Sequence, residues 1–71
     1  MYTHGVYFYF MNSREIIKKL KAAGFEEVSQ KGSHLKLKHP DGRSAVVPQP
    51  KKDMPLGTLR NIERTSKVQL T

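Results

Sequence analysis

The side chain best placed to do chemistry is His34. It opens the run His34-Leu35-Lys36-Leu37-Lys38-His39, in which polar and apolar residues alternate with the period of a half-buried strand. Leu35 and Leu37 take one face of that strand, and His34, Lys36 and Lys38 take the other. Just past the Gly32-Ser33 turn, the imidazole therefore stands on an open basic face where core packing does not account for it. The neutral imidazole is the form a general base requires. On the residues alone, a single surface histidine is more commonly just solvated, so both readings stand at this point.

Other chemistries are weighed by what is missing. The carboxylates Glu15, Glu26, Glu27, Asp41, Asp53 and Glu63 are scattered. The adjacent pair Glu26 and Glu27 points to opposite faces of a strand, which disfavours a two-metal phosphodiesterase site. Three histidines without cysteine, at no ligand-like spacing, disfavour zinc. His34 and His39 lie about 16 Å apart by strand rise and on opposite faces, so they are not a close acid–base pair. Ser33 and His34 diverge as strand neighbours and form no nucleophile–base dyad. No glycine-rich phosphate loop is present. The expectation is an enzyme without metal or cofactor, centred on His34, if it is an enzyme at all.

The elements that must hold these residues follow from patterning. Asn12-Ser13-Arg14-Glu15 has the spacing of a capping box, and Ile16, Ile17, Leu20 and Ala23 continue at helical spacing with basic residues between them. Gly24 is suited to end that helix, and Phe25 to plug the core behind it. Glu26 to Lys31, His34 to His39 and Ser44 to Val47 are expected strands, separated by the Gly32-Ser33 and Pro40-Asp41-Gly42 turns. A loop from Gln49 to Met54 carries Lys51 and Lys52. A second helix opens at Pro55, with Leu56, Leu59 and Ile62 as its apolar stripe. The expected fold is α+β in the order α-β-β-β-α: a three-stranded antiparallel sheet with two helices on one face. The other face is left to solvent or a ligand.

Seventy-one residues hold one small domain, and a net charge of +7 points to a polyanionic partner. The absence of cysteine removes disulfide staples and fits the cytoplasm. Every aromatic except Phe25 lies in residues 1–10, and every Lys and Arg follows Met11. The chain therefore divides into an N-terminal extension outside the core fold, 1–10, and a domain, 11–71, with Met11 as the ancestral start. Val6-Tyr7-Phe8-Tyr9-Phe10 has strong β propensity and suits an extra edge strand or a partner-binding segment. It is too short to cross a membrane, and no membrane association is expected.

Gln30-Lys31-Gly32-Ser33-His34, His39-Pro40-Asp41-Gly42-Arg43, Val46-Val47-Pro48 and Pro55-Leu56-Gly57-Thr58-Leu59-Arg60-Asn61-Ile62 together resemble the HicA toxin family. So does Ser13-Arg14-Glu15-Ile16-Ile17-Lys18-Lys19-Leu20 with Ala23-Gly24-Phe25, and the similarity spans about residues 11–64. The resemblance implies a fold like a double-stranded-RNA-binding domain. It also implies an mRNA interferase that cuts single-stranded RNA and is neutralised by a HicB-like antitoxin. Within it, Gly32 and His34 carry the family's function: His34 as general base, and Gly32 letting the backbone approach a phosphate. Lys31, Ser33, Lys36 and Lys38 are the expected substrate contacts. Lys18, Lys19, Lys21, Lys51, Lys52 and Arg60 suit backbone phosphates or an acidic antitoxin surface, although a solvated helix face accounts for most of them. The chain departs from the family pattern at Gln49-Pro50, where many relatives have a histidine, and over Thr65 to Leu70. A non-catalytic RNA-binding module of the same fold is the alternative, and a degenerate protein that only binds the antitoxin is a third.

Overall fold

The computed structural model describes residues 11–49 and 54–70. The N-terminal extension with its Val6–Phe10 segment, Lys51 and Lys52 lie outside the described residues. The chain forms α1 (Ser13–Ala22), β1 (Glu26–Lys31), β2 (His34–Lys38), β3 (Ser44–Pro48) and α2 (Leu56–Ser66). This is the expected order, with the sheet antiparallel throughout and β2 central.

Local chemistry starts and stops each element. The Asn12 side chain accepts the Glu15 backbone N–H at 2.8 Å, and the Glu15 carboxylate accepts the Asn12 N–H at 3.0 Å, a closed capping box. Ile16, Ile17 and Leu20 are buried. Ala23 departs from the expected stripe: the helix ends at Ala22, so Ala23 is the exposed C-cap, its N–H returning to the Lys19 and Leu20 carbonyls. Gly24, at φ +102°, then turns the chain so that buried Phe25 follows immediately. Pro55 departs by one position. Its ψ of 143° is extended, so it is the N-cap and Leu56 the first helical residue.

Leu35, Leu37, Ala45 and Val47 form the buried face of the sheet, against Ile16, Leu20, Leu59 and Ile62. Both helices contact β3. At the edge, β1 is exposed along its whole length and carries a bulge between Glu27 and Ser29 that leaves Val28 half exposed. Met11 and Met54 belong to the core as well, joined by a 2.9 Å backbone bond from the Met54 N–H to the Met11 carbonyl.

The segment after α2 folds back on it. Lys67 caps the helix at φ +62°, Ser66 is buried with its hydroxyl bonded to the Ile62 carbonyl, and the Leu70 N–H reaches the Glu63 carboxylate at 2.6 Å. Leu70 thereby enters the core at 4% exposure. Among the described residues no helix is long and apolar enough to cross a membrane.

Candidate active face

Strand pairing places the sequence-derived residues on one surface. Lys31 and His34 are direct partners across the β1–β2 hairpin, and His34 faces Pro48 of β3. Lys36 is flanked by Ser29 and Val46, and Lys38 by Glu26 and Ser44. Residues directly opposite in an antiparallel sheet share a face, and Leu35 and Leu37 are buried on the other one. His34, Lys31, Lys36 and Lys38 are therefore brought together on the surface that neither helix covers, and all four are exposed.

Gly32 and Ser33 are the two-residue loop of that hairpin. Gly32 has φ +55° while Ser33 has negative φ, the pattern of a type II′ turn with glycine in its first central position. A Cβ on Gly32 would meet nothing within 4 Å, so backbone conformation and not packing demands the glycine, and its surroundings are open. Two glutamines brace the turn. The Gln49 N–H donates to the Ser33 carbonyl at 2.6 Å, and the Gln30 side chain donates to the Gly32 carbonyl at 3.2 Å. The two side chains also bond each other at 3.2 Å. His34 thus leaves a turn held from β1 and from the residue just past β3. Among the described residues its ring has no hydrogen bond or ion pair, so it is accessible to an incoming ligand.

His39 lies elsewhere and does a different job. Its ring meets Phe25 edge-on, with centroids 5.2 Å apart, and its Nδ1 accepts the Asp41 N–H at 3.1 Å. The same nitrogen is 3.0 Å from an Asp41 carboxylate oxygen, a contact that becomes an ion pair only with the ring protonated. Arg43 was not singled out by the sequence as a functional or structural centre, yet it organises this end of the molecule. Its guanidinium bonds the Asp41 carboxylate at 2.8 Å and the Ser66 carbonyl at 2.7 Å, and lies 5.3 Å from the Phe25 ring centroid. The Arg43 backbone N–H, more than its side chain, holds the Asp41 carboxyl below its ordinary value, with desolvation opposing. The signal for this cluster was the turn sequence Pro40-Asp41-Gly42-Arg43 itself.

The two histidines therefore sit at opposite ends of β2, on opposite faces. One is bare and cationic in its surroundings; the other is packed and bonded. Among the described residues no three His, Cys, Asp or Glu side chains converge as a metal would require. The arrangement supplies one proton acceptor beside a row of fixed positive charges, the requirement for a reaction in which an anionic group gains charge.

Comparison with known families matches residues 13–68 to the model described as the HicA toxin of bacterial toxin–antitoxin systems. No curated protein matches the chain.

Proposed function

Because the chain belongs to the HicA toxin family and is thus the toxin of a toxin–antitoxin system with an antitoxin as partner, we propose that it is an mRNA interferase: a metal-independent endoribonuclease that acts in the cytoplasm. The observation that carries this reading is His34, exposed at the head of the central strand with Lys31, Lys36 and Lys38 on the same face.

Neutral His34 removes the proton from a ribose 2′-hydroxyl. The resulting oxygen attacks the adjacent phosphorus, and the bond to the 5′-oxygen breaks. That oxygen takes a proton from solvent, leaving a 2′,3′-cyclic phosphate and a free 5′-hydroxyl. Lys31, Lys36 and Lys38 stabilise the charge that builds on the phosphorane, and Gly32 and Ser33 let the backbone of the turn approach the phosphate. DNA lacks the nucleophile and is not cut. A HicB-like antitoxin, complementary in charge to the +7 chain, silences it.

The test is cleavage of a purified single-stranded RNA in EDTA by the wild type and by His34→Ala, each checked for folding. Loss of the base slows cutting by about 10²–10⁴-fold. Equal cutting by both proteins removes His34 from the mechanism, and failure of the wild type to cut removes the enzyme reading.

A further inference from the structure

We propose that the open face holds RNA as an extended single strand in one register, with phosphates along β2 and bases over β3. The proposal rests on the reading of RNA as the ligand of this face and adds how it lies.

The three open-face rows across the sheet are Lys31–His34–Pro48, Ser29–Lys36–Val46 and Glu26–Lys38–Ser44. They are not symmetric about β2. Down the centre run the imidazole and two ammonium groups. Toward β3 every position is uncharged, and Val46 there is 46% exposed although large and apolar. Toward β1 the last position is Glu26, which repels a phosphate and bounds the cationic track on that side. RNA has the matching asymmetry, with charge along its backbone and flat apolar surfaces on its bases.

Spacing selects the form of the RNA. Alternate residues of β2 are ~6.7 Å apart, so His34, Lys36 and Lys38 form a straight row with two strand residues to each step. Phosphates of a duplex wind about its axis and its bases are stacked inside, whereas a single strand can lay its bases outward on a surface. A phosphate at His34 and Lys31 is the one cut, and the next two fall at Lys36 and Lys38. The bases then rest on Pro48 and Val46, whose side chains have no donor or acceptor to read a base edge, and beside Ser44, whose hydroxyl can donate to or accept from any base. Recognition on this face is therefore tolerant of sequence.

Binding is measured by fluorescence anisotropy with 2′-O-methyl RNA, which lacks the nucleophile and stays intact. Single strands of two to six nucleotides are compared with a duplex of the longest. Affinity is expected to rise until three phosphates are present, with a log–log salt slope near ~−2, from about −0.7 per phosphate. Lys36→Ala and Lys38→Ala each reduce that slope by about 0.7. Val46→Asp weakens binding at least tenfold, whereas Val28→Asp, equally exposed but on the far edge strand, leaves it within twofold. Slopes unchanged by both lysine variants, equal losses at Val46 and Val28, or a duplex that binds as tightly as the single strand would each overturn the proposal. Its failure is separable from that of the enzyme reading. A chain that binds in this register without cutting ordinary RNA keeps the track and loses the enzyme. One that cuts with unaltered slopes keeps the enzyme and loses the track.

Discussion

Replacing Gly24 by alanine tests whether the packed end of the molecule is built as described. Gly24 has φ +102°, a conformation that costs an L-residue about 1–2 kcal/mol. The added methyl would also lie 2.9 Å from Nε2 and 3.1 Å from Cδ2 of His39. The ring must then tilt, and its edge contact with Phe25, worth about 1 kcal/mol, is weakened. Reduced freedom of the unfolded chain offsets about 0.5 kcal/mol. The net loss is roughly 2 kcal/mol, a fall in Tm of about 8–16 °C for a domain of this size. Gly42→Ala is the internal control, because Gly42 has φ +101° with nothing within 4 Å of its Cβ position. It bears the backbone strain without the collision and is expected to lose about 1 kcal/mol less. Urea and thermal unfolding of both variants, and of Gly24→Ala combined with His39→Ala, complete the measurement. The double variant should fall short of additivity by about 1 kcal/mol, since the colliding ring is gone. Equal losses at Gly24 and Gly42, or an additive double variant, would refute the claim that His39 sits against Gly24. On the proposed reading, RNA cutting per folded molecule should be unchanged, because His34 is at the other end of β2.

The remaining predictions address the same end. Arg43→Met removes charged hydrogen bonds to the Ser66 carbonyl and the Asp41 carboxylate, so unfolding free energy should fall by about 2 kcal/mol. Arg43→Lys should recover less than half of that, since an ammonium lacks the fork that reaches both partners. The Asp41 carboxyl is held below its ordinary value of 3.8 chiefly by the Arg43 backbone N–H. The folded state therefore keeps the carboxylate while the unfolded chain takes up a proton. Its contribution is fully present above pH 3.8 and is lost as pH falls through the lower folded value. The stability gap between wild type and Asp41→Asn, read by urea unfolding, should accordingly be open near neutral pH and close in acid.

What could be read from the sequence was whatever depends on neighbours within a few residues. The Asn12–Glu15 cap, the alternation that puts Leu35 and Leu37 under the sheet, and the glycine turns are all local, and each formed as expected. The face of His34 follows from strand parity alone, so its grouping with Lys36 and Lys38 was legible in the sequence, whereas the place of Lys31 beside it depends on the hairpin register. Periodicity is blind to partners set by topology. The bond from Arg43 to Ser66 spans 23 residues, and that from Gln49 to Gln30 spans 19. Leu70 is buried because Glu63 accepts its N–H, something no helical stripe announces. Ala23 failed for the converse reason: its spacing suited the stripe, but the helix had already ended.

The packed cluster around Phe25 and the bare imidazole are separated by the length of β2. Lesions at the two ends therefore have different fates in a cell that also makes the antitoxin. Damage at Gly24 or Arg43 yields an unstable chain that proteolysis removes and that leaves the antitoxin unengaged. If His34 is the general base as proposed, damage there yields a folded, inert chain that retains every surface outside one ring. Such a chain competes for the same antitoxin and releases intact toxin in proportion to its abundance. On that proposal, loss of the His34 side chain harms a cell that still carries a working copy more than loss of the whole fold does.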